Sequence, residues 1–124
     1  MGRVLPIVHL DDVMAGVAFY GRLGFEVVYR FPDEGPIAFC TVRHGDGEIG
    51  LGGWGETPGL PAPVRPGDDG RAVQLFVYVD DVDATVEALR ADGVAIEAEP
   101  VDQPWGERVA AVRDPSGNVV VLAR

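Results

Sequence analysis

The sequence predicts an α+β protein made of two βαβββ modules, and three observations predict it. First, Leu10-Asp11-Asp12-Val13 leading to Gly24-Phe25 returns as Val79-Asp80-Asp81-Val82 leading to Gly93-Val94, 69 positions on (Asp12 to Asp81, Gly24 to Gly93). Second, Val42-Arg43-His44-Gly45-Asp46-Gly47-Glu48-Ile49 matches Val112-Arg113-Asp114-Pro115-Ser116-Gly117-Asn118-Val119, 70 positions on (Val42 to Val112). Third, 8 of the 17 residues from Trp54 to Gly70 are Gly or Pro, so neither strand nor helix persists between the copies. Repetition at a fixed offset marks two copies of one supersecondary unit.

In the first copy, alternation over Val4 to Leu10 predicts a strand. Asp11 or Asp12 then caps a helix with Val13, Val17 and Tyr20 inward, and Gly24 closes it. Strands follow at Glu26 to Phe31, Ile37 to Val42 and Glu48 to Gly53, separated by the Pro32 to Pro36 stretch and a tight turn at His44 to Gly47. In the second copy a strand from Ala72 to Val79 leads to an Asp-capped helix with Val82, Val86 and Leu89 inward and Gly93 at its end. Strands come next near Ala95 to Ala98, Glu107 to Val112 and Asn118 to Ala123. The modules are residues 1–53 and 72–124, joined by a linker at 54–71. At 124 residues they form one domain's worth of chain, and a half of about 55 residues buries too little surface to stand comfortably alone.

That order, together with Phe19-Tyr20-Gly21-Arg22-Leu23-Gly24-Phe25, Val112-Arg113-Asp114-Pro115-Ser116-Gly117-Asn118 and Pro104-Trp105-Gly106, resembles the vicinal oxygen chelate superfamily (glyoxalases, bleomycin resistance proteins and dioxygenases) over nearly the full length. The resemblance implies curved mixed sheets around a concave cavity, usually in homodimers. The superfamily hosts metal-dependent isomerases, dioxygenases and fosfomycin-modifying transferases, and also metal-free drug-binding proteins, so fold alone does not choose the activity.

In metal-using members one ligand lies on the first strand of each module and one on the last. Carried over, those positions are Leu5, Leu51, Gln74 and Val121, a placement consistent with the repeat. Three are aliphatic, and sliding the first module's last strand by one residue offers only Gly50 or Gly52. A catalytic divalent ion needs about three protein ligands of imidazole, thiolate or carboxylate type. The expectation is no metal, no other cofactor and no catalytic residue. His9, on the same strand face as Leu5 and Ile7, reads as a hydrogen-bonded pocket histidine, with a ligand or base as the alternative; His44 reads as a surface turn residue. Cys40 reads as a buried small hydrophobe, and Ser116 as part of an Asp-Pro-Ser-Gly turn rather than a nucleophile elbow.

A ligand-binding cavity remains. Leu75, Val77 and Val79 form an aliphatic strand face suited to packing on the helix. Gln74, Phe76 and Tyr78 form the other, mixing aromatic surface with polar handles; the matching first-module set is Leu5, Ile7 and His9. Core filling is the alternative for Phe76. Trp54 and Trp105 lie beside loops, where an indole meets a ligand or a partner subunit, or else caps a core edge. The expected lining is Leu5, Ile7, His9, Leu51, Trp54, Gln74, Phe76, Tyr78, Trp105 and Val121.

Ten Lys plus Arg against twenty Asp plus Glu give a net charge of −10 and a sequence pI near 4.4, which repels nucleic acid and anionic membranes and attracts cations. One cysteine allows no disulfide within the chain. With no charged-then-apolar leader and no long apolar run, a soluble cytoplasmic protein is expected. The Ala111 to Asn118 segment is similar to bleomycin resistance proteins, which implies a dimer that sequesters an aromatic, cationic natural product without turnover. The alternatives are a metal-dependent enzyme of the superfamily (lyase or isomerase, dioxygenase, thiol transferase), with a site completed by substrate or by a second subunit, and a non-catalytic ligand sensor.

Overall fold

The computed structural model describes residues 4–55 and 75–124. The chain divides into two compact units, Met1–Arg65 and Pro66–Arg124. The first runs β1 (Ile7–His9), α1 (Val13–Arg22), β2 (Glu26–Phe31), β3 (Phe39–His44) and β4 (Gly47–Gly52); the second runs β5 (Leu75–Tyr78), α2 (Val82–Ala91), β6 (Ile96–Asp102), β7 (Arg108–Arg113) and β8 (Val119–Ala123). Each is a four-stranded mixed sheet with one helix, ordered β1-β4-β3-β2 and β5-β8-β7-β6. This is the α+β pair of βαβββ modules that the repeat predicts.

The same local chemistry starts and stops both helices. Asp12 accepts from the Ala15 amide at 3.1 Å and Asp81 from the Ala84 amide at 3.0 Å, each answering one of the amides that a helix N-terminus leaves over. Just past the C-caps Leu23 and Asp92, Gly24 and Gly93 adopt φ of +96° and +83°, a left-handed turn where a Cβ would be strained.

Helix α2 buries Val82, Val86 and Leu89, as its spacing predicts. Helix α1 differs from expectation: it buries Gly16, Phe19 and Tyr20, while Val13 and Val17 are only half-buried. Gly16 is why. A Cβ there would lie 2.3 Å from Leu10 Cδ1, so the fully buried Leu10 fills the place of a side chain and the face turns toward Phe19.

Strand ends depart most from the sequence reading at β1, β3 and β6. Strand β1 is only Ile7–His9, because the central strand it joins, β4, supplies just Gly50, Leu51 and Gly52 in parallel register. Strands β3 and β4 close on each other through the pair His44 and Gly47, so β3 runs two residues further than expected and His44 ends a strand instead of sitting in the turn. Its ring lies 5.1 Å from that of Phe25. Strand β6 continues to Asp102 through Pro100, which an edge strand tolerates; its pairing shifts between Ala98 and Val101. Residues 72–74 of the strand expected at Ala72 to Val79, and all of the expected linker but Trp54 and Gly55, lie outside the described residues.

In the first unit Leu10, Phe19, Tyr20, Leu23, Cys40, Val42, Ile49 and Leu51 are buried; in the second, Val77, Val82, Val86, Leu89, Ala110, Val112, Val120 and Leu122. On the strands these residues alternate with those of the opposite, open face. No helix among the described residues is long and apolar enough to cross a membrane.

Candidate functional site

Each sheet has one face against its helix and one open. Residues in register share a face, which puts Ile7, His9, Gly50, Gly52, Phe39, Thr41, Tyr29 and Phe31 on the open face of the first unit. Two glycines on a central strand leave room there for a ring. The Phe39 ring takes it: a Cβ at Gly50 would lie 2.9 Å from Phe39 Cε2 and Cζ and 3.1 Å from Ile7 Cγ1, and one at Gly52 would lie 3.2 Å from Phe39 Cδ2. Tyr29 stands with its ring centroid 6.5 Å from that of Phe39. At the end of β1, His9 Nδ1 donates to the Gly53 carbonyl at 3.1 Å, and its ring lies 5.1 Å from that of Trp54. The reading of His9 as a hydrogen-bonded histidine thus agrees with its placement, and Ile7, His9 and Trp54 are brought together. Leu5 lies half-buried just before β1.

Leu51 does not join them. It is fully buried, in register with Val8 and Cys40 on the helix side. The sequence match carried Leu51 onto Val121, but the two hairpins differ by one residue. Arg43 pairs with Glu48 across residues 44–47, whereas Arg113 pairs with Val119 across residues 114–118. A one-residue slip exchanges the faces of a strand, so the counterpart of Val121 is Gly50 and that of Leu51 is the fully buried Leu122. The extra residue belongs to a turn held by Asp114, whose buried carboxylate accepts from the Ser116 and Asn118 amides and from Asn118 Nδ2, each at 2.9 Å.

The open face of the second unit carries Phe76, in register with Val121 and Ala111, and Tyr78, in register with Ala123 and Val109. Phe76 and Tyr78 are half-exposed and Trp105, in the turn between β6 and β7, is 64% exposed. Val77 is buried on the other face and Leu75 and Val79 are half-buried, as the alternation predicts. Gln74 lies outside the described residues. Trp105 Nε1 donates to Glu107 Oε1 at 2.7 Å, and the Tyr78 hydroxyl bonds to the same side chain. Hydrogen bonds from Tyr78 and then Trp105 hold the Glu107 carboxyl below the usual carboxylate range, while that bond to Glu107, some burial and the carboxylate's charge push the Tyr78 hydroxyl up. Glu107 escaped the sequence reading because, although Trp105 is two residues away, its other partner Tyr78 is on a distant strand. Phe39 and Tyr29 were missed too, although Gly50 and Gly52, alternating on one strand, are a signal that something packs over them.

The described residues do not fit a divalent metal. With the register settled, three of the four positions used by metal-dependent vicinal oxygen chelate proteins hold Leu5, Gly50 and Val121, none of which has a donor side chain; the fourth, Gln74, lies outside the described residues. Among the described residues no three His, Cys, Asp or Glu side chains are grouped to hold an ion. Cys40 is fully buried, with its thiol pushed up by burial, partly offset by the charge of Arg30; it suits neither ligation nor nucleophilic attack.

Residues 7–122 match the sequence profile of the Glyoxalase/Bleomycin resistance protein/Dioxygenase superfamily, and the chain belongs to that superfamily. Among curated proteins it is similar to the uncharacterised protein YraH of Bacillus subtilis (strain 168), with 27% identity over 118 residues covering 91% of this chain and 90% of YraH. Among solved structures it is similar to TioX from Micromonospora sp. ML1, with a TM-score of 0.76, 27% identity, and 99% of this chain and 95% of that one covered. It also shares its fold with a bleomycin resistance determinant encoded on transposon Tn5, at a TM-score of 0.64 and 23% identity, covering 100% of this chain and 98% of the other.

Proposed function

We propose that this protein is a metal-free, cytoplasmic binding protein that takes up an aromatic, cationic natural product, of the antibiotic kind, and sequesters it without turnover, as a homodimer. The observation that carries the reading is the open face of the second unit, where Phe76, Tyr78 and Trp105 present half or more of their surface while Glu107 fixes the polar edges of the last two. Rings held by their edges and bare on their faces are suited to stacking, which contributes about 1 kcal/mol per ring pair beyond area burial. Sequestration needs affinity alone; among the described residues no three His, Cys, Asp or Glu side chains are grouped to hold an ion, and Cys40 is buried. The net charge of −10 favours capture of a cation and makes it salt-sensitive. Likeness to a bleomycin resistance determinant supports the ligand class.

Titration of intrinsic tryptophan fluorescence with a panel of aromatic cationic antibiotics that includes bleomycin tests the reading, with mass spectrometry of the recovered ligand. Tight binding and an unchanged mass are expected, and Trp105→Ala should weaken binding about tenfold, or 1.4 kcal/mol. A new adduct or isomer, or one equivalent of Zn, Fe, Mn or Ni per chain by elemental analysis, would overturn it in favour of an enzyme. Light scattering at micromolar concentration should give a dimer.

A further inference from the structure

The second unit is rich in carboxylates, and most of those with partners meet guanidinium groups. Asp83 and Asp102 pair with Arg108 at 2.7 and 3.0 Å, Glu97 with Arg113 at 3.0 Å, and Glu87 and Glu99 with Arg90. Arg108 spends its donors on the helix side, against Asp83 of α2. Its chain neighbour Glu107 faces the other way and accepts from two neutral donors, the Tyr78 hydroxyl and the Trp105 indole N–H. Those bonds orient the carboxylate without cancelling its charge. The result is a fixed negative charge between two aromatic side chains, a combination that recognises an organic cation through both charge and ring quadrupole.

We infer that Glu107 is the charge-selecting residue of this face: its carboxylate, held between Tyr78 and Trp105, takes the protonated or quaternary nitrogen of an aromatic ligand in preference to a neutral ring of the same shape. The inference rests on the binding reading above and narrows it to ligands whose cationic nitrogen lies in or beside a ring, because charge and stacking surface are adjacent. Glu107 also acts as a positioning residue for the indole. Its hydrogen bonds keep its carboxyl ionised below the usual carboxylate range, so the charge is present at neutral pH.

The test uses N-methylacridinium and acridine, two probes of nearly one shape, at a mildly alkaline pH where the second is neutral. Binding is read by quenching of tryptophan fluorescence in the full chain. The wild type should bind the cation about tenfold more tightly than the neutral ring, equivalent to 1.4 kcal/mol. Glu107→Gln keeps a side-chain oxygen for Tyr78 and Trp105 but removes the charge; it should abolish that preference by weakening the cation about tenfold more than it weakens acridine, a split that loss of structure does not produce. Glu107→Ala, which also frees the indole, should weaken both probes. If the wild type binds both equally, or if Glu107→Gln keeps the cation preference, Glu107 is not the selector and the binding reading stands without it. If the wild type binds neither probe nor any member of the antibiotic panel, the reading beneath falls too.

Discussion

The two units repeat one architecture and differ on the face that architecture leaves open. Both begin their helix with an Asp cap and end it with a glycine at positive φ, and both bury a Leu on the last strand, Leu51 and Leu122. On the other side of the same strands, Gly50 and Gly52 lie under the Phe39 ring in the first unit, whereas Val121 and Ala123 stand beside Phe76 and Tyr78 in the second. Positions that face the helix are fixed by packing. Positions that face outward do not pack on a helix, so the copies agree where the helix constrains them and differ on the open face.

The equivalence of Leu51 with Leu122, not with Val121, is the part of this comparison with the largest expected effect. Leu51→Ala and Leu122→Ala each remove a fully buried side chain and should each cost about 2–5 kcal/mol in urea unfolding. Val121→Ala, on a half-buried site of the open face, should cost about 1 kcal/mol or less. A Val121→Ala loss as large as that of Leu51→Ala would break the register assigned here.

The glycine pair comes next. Because a Cβ at Gly50 would meet the Phe39 ring at 2.9 Å, Gly50→Ala should destabilise by about 1–3 kcal/mol through overpacking. In a Phe39→Leu background the same substitution should cost clearly less, since the obstructing ring edge is gone. Equal costs in the two backgrounds, measured as a double-mutant cycle, would mean that the ring does not rest on the glycines. A metal-binding side chain grafted at Gly50 would meet the same ring.

These residues also show what was legible in the sequence. Element order, helix caps and the two-faced strand β5 were readable because each is a local pattern: an Asp before an apolar helix, a glycine after it, period-two alternation. The register of β4 was not. One extra residue in the Asp114 to Asn118 turn shifts the match by a single position, and similarity of the flanking words hides it. Pairing decided it, since Leu51 lies beside Cys40 and Val8 and not beside Thr41 and Ile7. The aromatic members of the second open face were predicted, but the carboxylate joining two of them was not, because only the folded chain brings Tyr78 to Glu107.

The caps should behave alike in the two units. Asp12→Ala and Asp81→Ala each remove an acceptor from an N-terminal amide and should each cost about 1 kcal/mol. Thermal melts of the two variants should therefore shift by similar amounts; a shift in only one would mean that the copies have diverged in their helix starts as well as in their open faces.

Surface charge gives the smallest expected effect, and it separates the units again. Asp83 and Glu97 lie in the second unit, held below the usual carboxylate range by hydrogen bonds from Arg108 and Arg113 and by the charges of those arginines. A carboxyl whose folded value is depressed contributes stability that is fully present above its unfolded value and is lost as pH falls through the folded one. Both side chains are solvent-exposed, so water and salt screen the contribution. In urea unfolding followed down a pH series from neutral, stability should be level until the ordinary carboxylate range and then decline. Asp83→Asn combined with Glu97→Gln should flatten that decline and lower stability slightly at neutral pH, with high salt narrowing the gap between variant and wild type. If instead the variant loses stability equally at every pH, the two carboxylates contribute packing and not charge.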